Sequence, residues 1–196
     1  MDVMPHIHAV AVFCGSRTGN DPAYRAAAEA LGQGLADAGI GLVYGGGRIG
    51  LMGILADAAL NAGGSVIGVI PEFLTRREVA HPTLVELVVT DSMHSRKQRM
   101  FEAADAFVSL PGGLGTLDET IEIITWRQLG LHHKPVLICD VIGSAAAFEA
   151  AIEATIAAGF AQPDIRKLFE VMDGVPAVLR RLAHLHRVAG GAAARL

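Results

Sequence analysis

Pro111-Gly-Gly-Leu-Gly-Thr-Leu-Asp-Glu119 follows an apolar run over residues 106–110 and opens a helical run over residues 117–129. The apolar run reads as a buried strand, so the stretch is a strand-to-helix turn. Gly112, Gly113 and Gly115 leave no Cβ to hold a ligand away from the backbone. Free N–H groups in the first helical turn, with the positive end of the helix dipole, suit a phosphate or carboxylate. Thr116 is expected to supply a hydroxyl at the N-cap. Glu119 has two readings: the acid of a capping box three residues after Thr116, or an acid aimed at the bound ligand. With the glycines beside it, the loop is read as an anion cradle.

Outward from this stretch the same punctuation recurs. A strand over residues 8–14 ends in Gly15-Ser-Arg-Thr-Gly19, and Asp21-Pro22 caps a helix to about residue 38. A strand over residues 41–44 runs into Gly45-Gly-Gly-Arg-Ile-Gly50 and a helix over residues 51–61. Then come a strand over 65–70, an irregular charged segment over 72–82 and a strand over 84–89. Ser92 caps a helix carrying Met93-His-Ser-Arg-Lys-Gln-Arg-Met100. After the central loop, a strand over 135–139, a helix over 145–158, a strand over 168–172 and a helix over 175–186 complete the chain. One domain over residues 1–188 is expected, with the Ala/Gly-rich residues 189–196 as a disordered tail.

Strands alternating with helices imply an α/β fold: a doubly wound, Rossmann-like parallel sheet of about seven strands. In such sheets ligands sit at the C-terminal ends of the strands. Gly15, Ser16, Gly45, Gly46, Gly47, Gly112 and Gly113 all fall at that edge, which predicts a single ligand site built from three turns.

Composition narrows the classes. Hydrophobic residues make up 52% of 196, yet no run reaches the ~18 apolar residues of a membrane span. A net charge of −4 argues against a general nucleic-acid or anionic-membrane surface. The two cysteines, Cys14 and Cys139, end apolar runs and suit buried thiols in a reducing compartment. The N-terminus has neither a basic n-region nor a long apolar stretch, so a cytoplasmic location is expected. His94, His132 and His133 lack a second cluster at ligand spacing, so no metal is expected.

The first turn is not G-x-G-x-x-G, and no acid follows the second strand to hold an adenosine ribose. A P-loop would need Gly-Lys-Ser/Thr at a helix start, which is absent. What remains is a phosphate cradle for a mononucleotide or sugar phosphate. Arg96, Lys97 and Arg99 read either as a solvated basic face or as cations delivered to the glycine loops. Glu78, in the charged segment, reads alone as a surface carboxylate. Cys14 has no visible base partner, and Met100 and Trp126 read as packing residues.

These residues also carry a resemblance. Pro111–Glu119 is similar to the P-G-G-x-G-T-x-x-E signature of the LOG (Lonely guy) family, and Met93-His-Ser-Arg-Lys97 to its M-H-x-R-K motif. Val12-Phe-Cys-Gly-Ser16, Leu42-Val-Tyr-Gly-Gly-Gly47, Gly50-Leu-Met-Gly53 and Ile124-Thr-Trp126 fit the same pattern. Members are cytokinin riboside 5′-monophosphate phosphoribohydrolases, long misnamed lysine decarboxylases. The resemblance implies Arg96 and Glu119 as catalytic residues. It implies substrate contacts at Glu78, Lys97, Gly113, Leu114, Gly115, Thr116, Leu117, Asp118 and Thr125. It further implies no cofactor, a homodimer, and hydrolysis of an adenine-type nucleoside 5′-monophosphate to free base and ribose 5-phosphate. Arg17 and Arg48-Ile49 depart from the common Ser and Ser-Val, adding positive charge near the phosphate region. Two alternatives stay open: an AMP nucleosidase with no hormone role, and a non-catalytic nucleotide or molybdenum-cofactor carrier.

Overall fold

Short runs of Val, Ile, Phe and Ala, apolar on both faces, form the strands of a sheet covered on both sides. In the computed structural model, which describes residues 7–75 and 86–193 and side chains as far as 185, these runs make a seven-stranded sheet. The strands are β1 (Ala9–Phe13), β2 (Gly41–Tyr44), β3 (Val66–Pro71), β4 (Glu86–Thr90), β5 (Ala106–Ser109), β6 (Val136–Asp140) and β7 (Glu170–Asp173). All neighbours are parallel, in the order β4-β3-β2-β1-β5-β6-β7. The crossovers carry α1 (Pro22–Asp37), α2 (Gly50–Asn61), α3 (Glu72–Thr75), α4 (Met93–Glu102), α5 (Leu114–Gln128) and α6 (Ala146–Ala157), and α7 (Gly174–Ala193) follows β7. A 3₁₀ turn over Pro163–Leu168 precedes β7.

The two-residue alternation of the strands divides the core. Val10, Val12, Leu42, Tyr44 and Val108 pack with Ala28, Leu31 and Leu35 of α1, Leu55 of α2 and Val178 and Leu182 of α7. Ala11, Phe13, Val43 and Phe107 face the other way, against Met100 of α4, Ile123 and Ile124 of α5 and Phe148 of α6. β1 is the centre, with Val10 beside Leu42 on one side and Ala106 on the other. The strand order reverses there, β2 and β5 being reached in opposite directions. Such a reversal opens a crevice at the C-terminal ends of the two middle strands.

Several expected boundaries move. α5 begins at Leu114, with Gly113 at the N-cap and no side-chain cap, so Thr116 is the third helical residue and not the cap. Glu119 therefore belongs to no capping box. Residues 72–75 of the irregular segment form the short helix α3. Helix α7 runs on to Ala193, through five residues of the expected disordered tail; alanine is the strongest helix former.

Candidate active site

The turns after β1, β2 and β5 meet as the glycine pattern predicts. The Gly15 N–H donates to the Pro111 carbonyl at 3.1 Å, and the Leu51 N–H donates to the Gly15 carbonyl at 3.0 Å. The turn after β1 is thus tied to the β5 loop on one side and to the start of α2 on the other.

A cavity of about 760 Å³ opens in the crevice between the β1 and β5 turns. Gly15, Ser16, Arg17, Gly112, Gly113, Leu114, Thr116 and Leu117 line it. The uncapped start of α5 forms one wall, and its backbone N–H groups suit an anion. The wall also includes Ser109 and Thr120, whose buried hydroxyls lie 2.5 Å apart. Thr120 donates onward to the Thr116 carbonyl at 2.7 Å. Ser144, Ala145 and Phe148, beyond β6, close the far side. The glycine pattern did not point to this side, although the end of β6 lies on the same sheet edge.

Beside the cavity lies a buried ion pair. Ser92 and Ser95 form a reciprocal capping box at the start of α4, which fixes Arg96 in the first turn. Arg96 is 6% exposed and Glu119 7%. The Arg96 Nε donates to the Val69 carbonyl at 3.0 Å, and Nη1 donates to Glu119 Oε1 at 2.5 Å. The solvated-face reading thus fails for Arg96, though Arg99 keeps it, more than half exposed and paired with Glu102. Gly45 makes room for the guanidinium, since a Cβ there would collide with Nη2. Glu119 follows Thr116 by about one helical turn and precedes Thr120, both of which line the cavity, while Glu119 and Arg96 are buried behind that lining. Burial pushes the Glu119 carboxyl above its ordinary value, with Arg96 pulling against it and Asp118 adding to the rise. Glu119 Oε2 accepts no hydrogen bond among the described residues. A carboxylate held by one oxygen, with the other unengaged and a raised proton affinity, suits charge stabilisation or water activation.

The remaining expected residues fall in different places. Lys97 sits between Asp118 at 3.2 Å and Glu122 at 3.0 Å. Burial lowers its proton affinity, and the two carboxylates together raise it by more, so the amine is held as a cation. Gly45, Gly46 and Gly47 are buried and do not line the cavity. Gly46 packs towards Ile70 and Leu87. Gly115 is exposed in the first turn of α5. Thr125 is exposed, its hydroxyl donating to the Ile121 carbonyl at 2.8 Å. It lies about 7.5 Å along the helix from Thr120, the nearest α5 residue on the cavity wall, at ~1.5 Å per residue. Glu78 lies outside the described residues.

Cys14 is buried, and burial with the nearby Glu119 charge pushes its thiol up despite Arg96. A thiol so shifted is a core residue and not a nucleophile. Cys139 is likewise buried, its thiol pushed up to about 12. His132 is buried against Phe101 and Phe107, with Nε2 2.9 Å from the Ile123 carbonyl. Trp126 packs edge-on to Phe101, and Met100 is buried, as expected. No described helix is long and apolar enough to cross a membrane.

The chain is similar to known proteins along most of its length. A family model described as "Possible lysine decarboxylase" matches residues 52–182. The probable cytokinin riboside 5′-monophosphate phosphoribohydrolase LOGL9 of Oryza sativa subsp. japonica is 46% identical over 173 residues, 88% of this chain and 76% of that protein. The cytokinin riboside 5′-monophosphate phosphoribohydrolase LOG1 of Arabidopsis thaliana is 41% identical over 182 residues, 93% of this chain and 85% of that protein. Among solved structures, the molybdenum cofactor carrier protein of Chlamydomonas reinhardtii superposes with a TM-score of 0.67 at 21% identity, covering 90% of this chain and 96% of that one. The molybdenum cofactor binding protein of Rippkaea orientalis gives 0.69 at 21% identity, with the same coverage. At that identity the two structures share the fold alone. The sequence relatives go further, and with the family model they establish that this chain belongs to the LOG family.

Proposed function

We propose that the protein hydrolyses the N-glycosidic bond of adenine-type nucleoside 5′-monophosphates, cytokinin riboside 5′-monophosphates or AMP, to free base and ribose 5-phosphate. The observation that carries this reading is the buried Arg96–Glu119 pair flanking a cavity walled by an uncapped helix start. In the reaction the phosphate docks on the N–H groups of the first turn of α5. Binding energy there orients the ribose towards Glu119. As the C1′–N bond breaks, the electron pair leaves with the base and the ribose gains oxocarbenium-like positive charge. The ionised Glu119 stabilises that charge and takes a proton from the attacking water, whose oxygen bonds to C1′. A proton from solvent completes the released base. Arg96 holds the Glu119 carboxylate in place.

Lysine decarboxylation, which the description of the family model suggests, fits these residues poorly. A Schiff-base lysine must present a neutral amine, whereas Lys97 is held as a cation between Asp118 and Glu122. Lys134 donates to the Phe101 carbonyl just ahead of β6, at the opposite edge of the sheet. Incubating the protein with AMP and with isopentenyladenosine 5′-monophosphate, and measuring free base by chromatography, tests the proposal. Release of base from either supports it, and release from neither overturns it.

A further inference from the structure

Arg17 stands apart from the glycines around it. It is exposed in the turn after β1 and makes no ion pair or side-chain hydrogen bond among the described residues. Of the residues lining the 760 Å³ cavity, it is the one that carries a charge; none is an Asp or Glu. The open groove that continues from it, lined by Thr18, Gly19, Asn20 and Gly50, has no acid either. In a chain with a net charge of −4, the crevice as lined by the described residues therefore holds one cation and no carboxylate.

The backbone that carries Arg17 is held by its neighbours. Gly50 has a φ of +64° and lies against the Ser16–Arg17 backbone, where a Cβ would collide. The bonds from Leu51 to Gly15 and from Gly15 to Pro111 hold the turn from both sides. Arg17 is thus set at a constant place on the cavity wall that also includes Gly112 and Gly113, and no side-chain hydrogen bond or ion pair among the described residues holds its guanidinium elsewhere. The helix start presents N–H dipoles worth about half a charge. A full cation with a planar fork adds what a phosphate dianion needs and an uncharged ligand does not.

We propose that Arg17 is a substrate-binding residue of this chain, closing on the 5′-phosphate from the β1 side and selecting the phosphorylated substrate over the bare nucleoside. The assignment rests on reading the cavity as the nucleotide site. Its test is calorimetric binding of ribose 5-phosphate to the wild type, Arg17→Ser and Arg17→Lys, with steady-state kinetics on AMP alongside. Arg17→Ser is expected to weaken ribose 5-phosphate about 10- to 100-fold and to raise KM for AMP similarly, with kcat within about 3-fold. Arg17→Lys recovers part of the loss, since the charge returns without the fork. Adenosine binding stays the same in all three. Equal ribose 5-phosphate affinity in wild type and Arg17→Ser overturns the assignment, as does a loss confined to kcat. If Arg17-dependent binding is present but no base is ever released, the hydrolase reading fails and the role of Arg17 stands. Normal hydrolysis with an unchanged KM in Arg17→Ser gives the reverse.

Discussion

Arg96 occupies the space that a side chain on Gly45 would fill. A Cβ on Gly45 would come within 2.8 Å of the Met52 sulfur and closer still to Arg96 Nη2. The glycine turn after β2 therefore serves the Arg96–Glu119 pair, and does so without lining the cavity.

Gly45→Ala is the direct test of that packing. Both obstructing atoms belong to flexible side chains, so the fold survives at a cost of about 1–3 kcal/mol from overpacking. The guanidinium moves off Glu119, and turnover of AMP falls by about 10-fold or more. Melting temperature and kcat measured together check it. A variant with full kcat would show that the position of Arg96 is not critical.

Glu119→Gln removes the carboxylate charge and keeps the shape. Turnover is expected to fall about 10²-fold or more, the loss typical of one transition-state electrostatic contact. The variant also leaves Arg96 buried opposite a neutral amide. Its melting temperature should not fall, because burial already favours an uncharged group at this position. Kinetics and melting temperature measured together separate a catalytic loss from a folding loss. Wild-type turnover in this variant would remove Glu119 from the chemistry.

The sequence showed the architecture because parallel strands buried on both faces read as continuous apolar runs, each closed here by a glycine turn. It also placed Gly15, Ser16 and Gly112 at one edge, since the C-terminal ends of parallel strands share an edge. The start of α5 was misplaced because a threonine hydroxyl is a strong N-cap signal. Here Gly113 takes the N-cap and Thr116 is buried a turn inside. The burial of Arg96 was hidden for another reason. Its partners, Val69 and Glu119, lie 27 and 23 residues away in sequence and come together only through the sheet. Ser144 and Phe148 were missed because the turn after β6 lacks the run of glycines that marks the other three.

The raised proton affinity of Glu119 couples activity and stability in opposite directions. Burial favours the protonated carboxyl, so its folded pKa lies above the ordinary 4.5. Such a group stabilises the fold fully below its unfolded pKa, and that contribution is lost as pH rises through the folded value. The ionised form does the chemistry, so activity rises over the same window. The acid limb of the kcat/KM profile, which reports the free enzyme, is therefore expected above the usual glutamate range. Over that limb the melting temperature of the wild type should fall relative to Glu119→Gln. A limb at or below 4.5 would contradict this.

The outer face of α5 carries the last prediction. Leu114, Leu117 and Ile121 of α5 and its C-cap Leu129 are 85%, 42%, 50% and 68% exposed, at spacings of three, four and eight residues, and the first two also line the cavity. A row of large apolar side chains left open to water favours association, and we propose that two copies of the chain pair through this face. Thr125 lies on the same stretch of helix, exposed and outside its own chain's cavity lining. A substrate contact by Thr125, as the family resemblance implies, would then be made across the pairing. Ile121→Asp should convert a dimer to a monomer, because it sets like charges against each other across an apolar face. Light scattering at micromolar concentration measures this, and circular dichroism checks that the variant stays folded. Ile121 does not line the cavity, so a monomeric variant that has lost activity would tie the site to the pairing. A wild type that is already monomeric would overturn the prediction and leave Thr125 outside the site.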